Sequence, residues 1–221
     1  MDNALLWSYV HGLLFALWLA VDLGAFIATA CVKNPSRSYE GRTKLFRVAE
    51  MTHVLPRLCF ALILPTGVEL TGALAVYPLT PGLRAAGWVI GAVWVIVILV
   101  SARAYAKPLA ANLRIVELVF EAFAGLGFVA YGLNSLATGA PIDDASFAAK
   151  LFLFGLVFWA AIAADIGLRP FCAPFGEIAL EGSTPEREEA ISAAINHALA
   201  AMAVSYILIA AIAFIGYVGL F

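Results

Sequence analysis

Apolar residues dominate six long stretches of the chain: roughly 5–31, 55–77, 83–106, 112–137, 149–171 and 191–220. A helix rises about 1.5 Å per residue, so about 20 mainly apolar residues cross the hydrocarbon of a bilayer. The pattern therefore predicts an all-α, polytopic membrane protein: one transmembrane domain over 1–221, built as a six-helix bundle. Pro65, Gly67, Gly125 and Gly127 fall inside these stretches. They are tolerated where neighbouring helices satisfy the backbone groups they free.

The connections alternate in charge. The first holds Lys33, Arg37, Arg42, Lys44 and Arg47, the third Arg103, Lys107 and Arg114, and the fifth Arg169 and Arg187 with several glutamates. The opposite side offers Arg84, Asp143, Asp144 and Lys150. By the positive-inside rule the first, third and fifth connections are cytoplasmic and both termini face outward, which suits a bacterial inner membrane. Ala28-Thr29-Ala30 looks like a leader-cleavage site, but no positive charge precedes the first run and Asp22 interrupts it. It is expected to remain as the first helix. Ser183 or Thr184, followed by glutamates, predicts a cap on the last helix.

Composition sharpens the class. The chain is 63% hydrophobic and 13% charged, with mean hydropathy +0.95, which leaves little room for a soluble domain. No basic patch with interleaved aromatics suggests nucleic acid, and neither a phosphate-binding glycine loop nor a nucleophile elbow is present. Cys31, Cys59 and Cys172 are dispersed, without a CxxC, and predict buried thiols rather than disulfides. Trp7, Trp88 and Trp159 lie near predicted helix ends, as interfacial residues do.

Ionisable residues inside spanning helices cost several kcal/mol unless paired or facing a cavity, so they are the functional candidates. Asp22 lies roughly 25 Å along the first helix and Asp165 roughly 21 Å along the fifth, both towards the inner side. His53 and His197 open the second and sixth helices from that side, with Glu50 just below His53; Glu117 and Glu121 sit in the first turns of the fourth. His11 stands near the outer surface. At ~100° per residue His11, Trp18 and Asp22 share one stripe, Glu50, His53 and Arg57 another, and Glu117 and Glu121 a third. An internal repeat is expected as well. "LAVDLGAF" (19–26) resembles "IAADIGLRPF" (162–171), and each Asp precedes a histidine, by 31 residues in one case and 32 in the other.

Three chemistries fit these residues. A b-type haem needs neutral imidazoles and cations for its propionates: His53 with His197 or His11 on iron, Arg57 and Arg114 on the propionates. A non-haem dinuclear site, with two iron or similar ions, would draw on Asp22, Glu50, His53, Glu117, Glu121, Asp165 and His197, since Glu-x-x-His places two ligands on one helix face. Either would make a membrane oxidoreductase whose electron partner is a quinone or another carrier. A cation or proton-coupled transporter would use the same Asp/His/Glu cluster as a permeation site, extended outward by Glu69. Against all three, the histidines can simply be interfacial, and the glutamates can pair with Arg57, Arg103 and Arg114. Membrane lipid is a partner in every reading, and small-residue helix faces allow a homodimer.

His11-(six residues)-Trp18, "EMTHVLPRLCFALILPTGVELTG" (50–72) and "LRIVELVFEAFAG" (113–125) resemble the first, second and fourth helices of the CopD and HemJ-type bacterial membrane proteins. The HemJ type is regarded as a haem-binding protoporphyrinogen oxidase with a first-helix histidine on the iron. The resemblance implies that His11 is the haem-linked residue and that Glu117 matches the family glutamate. It covers about a third of the chain. The third helix, "WVIGAVWVIVILVSARAYA", has none of the Lys and His expected there, and Asp22 is unusual, so the substrate is not carried over.

Overall fold

The structure is a computed structural model that describes residues 3–104 and 107–218. Eight helices follow one another: α1 (Asn3–Val32), α2 (Tyr39–Thr52), α3 (Val54–Ala73), α4 (Pro81–Arg103), α5 (Pro108–Thr138), α6 (Ala145–Leu168), α7 (Cys172–Glu181) and α8 (Pro185–Val218), with a 3-10 turn at Arg169–Phe171. There is no strand among the described residues. Among the described residues five segments are long and apolar enough to cross a membrane: Asn3–Val32, Tyr39–Ala73, Pro81–Arg103, Ala145–Glu181 and Pro185–Val218. α5 is 31 residues long but is not among them. Its first half carries Arg114, Glu117 and Glu121.

Local chemistry sets the boundaries. Pro81 stands at the start of α4, where the Thr80 side chain accepts from Leu83 N at 3.2 Å. Asp144 caps α6 by accepting from Phe147 N at 2.9 Å. The expected cap on the last helix forms through Thr184, whose Oγ1 accepts from Arg187 N at 3.3 Å. α7 ends at Gly182, whose φ of +86° suits glycine. Two connections expected to be loops contain helices, α2 and α7.

The chain divides into two compact units, the first comprising Met1–Leu23 and Thr52–Phe120, the second Gly24–Met51 and Glu121–Phe221. In the first, α1 and α3 run antiparallel through a ladder of contacts from His11–Thr66 through Trp18–Phe60 to Asp22–His53. α4 lies against α3 where Gly91 faces Pro65. A Cβ on Gly91 would lie 2.8 Å from the Pro65 ring, so only glycine allows this approach.

In the second unit, glycines bring α5 and α6 together. A Cβ on Gly132 would stand 2.5 Å from Phe152 N, and one on Gly155 2.7 Å from Gly125 O. At one end of this unit α2, α7, the last turn of α1 and the first turns of α8 enclose an apolar core that includes Val32, Phe171, Phe175, Ile191 and Ile195. Arg42 crosses it fully buried. It donates to Glu188 at 2.8 and 2.9 Å and to Val32 O at 2.8 Å, and its guanidinium lies 5.4 Å from the centre of the Phe175 ring. This bidentate pair joins the first connection to the fifth.

Candidate functional site

Polar side chains in the first unit are strung along α3. At its start, His53 Nδ1 lies 2.9 Å from Asp22 Oδ1 of α1; Asp22 is buried and the His53 side chain is 46% exposed. One turn on, Arg57 reaches Glu117 of α5. The Glu117 side chain is completely buried and also receives Arg114 at 2.9 Å and the Trp94 indole N–H of α4 at 3.2 Å. A carboxylate can stay charged in such a place only because two guanidiniums and an indole satisfy it. The two arginines and one glutamate leave the cluster with a net positive charge.

Further along α3 the polarity stops. Trp18, Phe60, Trp94 and Phe120, from α1, α3, α4 and α5, form a continuous aromatic layer with centroid separations of 4.9, 5.4 and 4.9 Å. Beyond it polarity returns. The Thr66 hydroxyl donates to Leu62 O at 2.8 Å and stands 3.1 Å from His11 Nδ1. The contact engages Nδ1 of the ring. The ring is held close: a Cβ on Gly67 would lie 3.2 Å from His11 Cε1. At the far end Glu69 accepts from Trp88 Nε1 at 3.1 Å and lies 4.0 Å from Arg84.

The expected residues separate accordingly. His11, Asp22, His53, Arg57, Arg114 and Glu117 belong to the first unit; Glu50, Glu121, Asp165 and His197 belong to the second. Asp165 pairs with Arg169 at 3.3 Å, and His197 is exposed on α8 where a Cβ on Gly167 of α6 would come within 3.3 Å of it. Glu121 is buried.

Glu50 lies in the last turn of α2, which ends at Thr52, and His53 stands between α2 and α3. Pro56 explains the break. It has no N–H for the Thr52 carbonyl, four residues earlier, and its ring crowds that carbonyl. No group of three or more His, Cys, Asp or Glu side chains able to hold a metal ion gathers among the described residues.

The aromatic layer and Trp94 were not singled out as site residues. Trp18 lay on the stripe with His11 and Asp22, but nothing in the sequence tied it to Phe60 and Trp94. Family models, curated proteins and solved structures were compared with the chain, and none matches.

Proposed function

We propose that the protein is a proton- or cation-coupled membrane transporter with six spanning helices, α5 being the sixth. The first and fifth connections would be cytoplasmic and both termini outside, in a bacterial inner membrane. One observation carries the reading: ionisable side chains with polar partners stand on both sides of an aromatic layer along α3, Asp22–His53 and Arg57–Glu117–Arg114 on one side, His11–Thr66 and Glu69–Arg84 on the other. A rigid structural core has no use for titratable groups at four levels of one helix, each of which costs free energy to desolvate. In this reading the Asp22 carboxylate orients the His53 ring, and the half-exposed imidazole is the group that exchanges protons with the inner side. Glu117 holds the adjacent guanidiniums in place. The Trp18–Phe60–Trp94 layer prevents a continuous water path, so a proton passes only when the layer opens.

An internal repeat fits the same reading. In each half an Asp-x-Gly helix is followed by a short helix, α2 or α7, and then by a spanning helix with a histidine at its inner end. In the first, Asp22 meets His53; in the second, the α6 backbone meets His197 at Gly167. The test is proton flux in proteoliposomes with an entrapped pH dye and an imposed potassium gradient. His53→Ala and Asp22→Asn are expected to abolish flux while elution as a folded species is kept. Wild-type flux no greater than that of empty vesicles overturns the reading.

A second reading, a redox protein with b-type haem, is favoured by one observation. His11 and His53 both have Nδ1 engaged, the arrangement that turns Nε2 towards an iron. The rest of the donor set fits less well. Both proposed propionate partners, Arg57 and Arg114, are taken by Glu117. A Soret band in the protein purified from haem-replete cells would support this reading; its absence there would remove it.

A further inference from the structure

α4 and α5 leave a groove of about 300 Å³ between them, lined by Val89, Val93, Val97, Trp94, Val116 and Phe120, with Glu117 at its floor. Val89, Val93 and Val116 are 62%, 55% and 57% exposed, so the groove opens sideways. Both Glu117 oxygens are already occupied by Arg57, Arg114 and Trp94. The remaining surface is aliphatic and aromatic, and it suits a hydrocarbon chain rather than a polar solute.

The end of the groove adds a second feature. α4 ends at Arg103 and α5 begins at Pro108, so Arg103 and Lys107 both stand where the two helices join. Arg103 and Lys107 are exposed, and no Asp or Glu occurs between residues 70 and 116 to neutralise them. Val97 precedes Arg103 by six residues, about 9 Å of helix, so one molecule can reach both the groove and the cations. An acyl chain in the groove places a phosphate at this basic rim.

We infer that the α4–α5 groove and its Arg103–Lys107 rim form a binding site for an anionic phospholipid, with one acyl chain against Val93 and Trp94 and the phosphate on these two exposed side chains. This inference does not depend on the transport reading. Trp94 reports on it directly. Full-length protein is reconstituted in phosphatidylcholine vesicles containing a small fraction of phosphatidylglycerol with brominated chains, and compared with the converse mixture in which only phosphatidylcholine is brominated. The component of tryptophan quenching lost in Trp94→Phe is expected to saturate at low phosphatidylglycerol content and not with brominated phosphatidylcholine.

Arg103→Gln with Lys107→Gln changes two exposed residues. It is expected to weaken the preference about fivefold per charge. Val93→Phe fills the groove and is expected to remove the saturable component. Equal quenching by the two lipids in the unaltered protein overturns the inference, as does an undiminished preference in the double charge variant or unchanged quenching in Val93→Phe.

Discussion

Removing the Glu117 carboxylate tests the central claim about the buried cluster. In Glu117→Leu the side chain stays apolar and close in size, but Arg57 and Arg114 lose their common partner and the Trp94 indole loses its acceptor. Breaking a buried ion pair on one side costs about 3–5 kcal/mol, because a desolvated charge is left without compensation. The two arginines are 19% and 21% exposed, so part of that cost is relieved by reorientation towards a polar boundary, and the lower end, about 3 kcal/mol, is expected. The stranded indole N–H adds about 1 kcal/mol or more. The measurement is reversible unfolding in mixed detergent micelles, followed by circular dichroism.

A companion variant separates pair-breaking from loss of packing. Glu117→Leu combined with Arg57→Met and Arg114→Met removes every charge at once, and replacing a whole buried ionic group by apolar residues is often neutral or stabilising. The triple variant should therefore be more stable than Glu117→Leu alone. A loss below about 1 kcal/mol in the single variant, the range of an exposed pair, would refute the reasoning, as would a triple variant no better than the single one.

Other consequences are as concrete. Arg42→Ala should destabilise by about 3–5 kcal/mol, since Glu188 and Val32 O lose a fully buried donor, and Arg42→Lys should recover less than half because an ammonium cannot bond both Glu188 oxygens in the same plane; thermal unfolding in detergent checks both. Gly132→Val should disrupt the α5–α6 contact by well over 1 kcal/mol, read as lower yield and melting temperature, whereas Gly127→Val, where no atom lies within 4 Å of the new Cβ, should be tolerated. Phe60→Ala should open the aromatic layer and raise passive proton leak in vesicles; leak equal to that of the unaltered protein would deny the layer its barrier role.

The helices were legible because the bilayer imposes a length and an apolar composition that few other constraints mimic. Angular reasoning also held along α1. His11, Trp18 and Asp22 share a stripe, and the structure turns all three onto α3. One segment later the stretch read as a single helix is divided at His53 into α2 and α3. α2 and α7 escaped notice. Short helices with mixed polarity lie outside the period of a spanning helix, and their polar faces look like loops until the Phe46–Phe171 and Tyr39–Phe175 contacts are seen.

What composition could not supply was the choice of partner. Arg57 and Arg114 looked available for an anionic cofactor because, in one dimension, Glu117 is 60 residues from Arg57 and is only one of several acids near the inner boundary. Folding makes them neighbours and commits both arginines to a single carboxylate. That commitment is what the proposed transport reading rests on in preference to a haem. A fixed-charge cluster beside an Asp–His pair can bias protonation without holding any cofactor. It predicts that charge removal at Glu117 alters flux through His53 even when the protein remains folded.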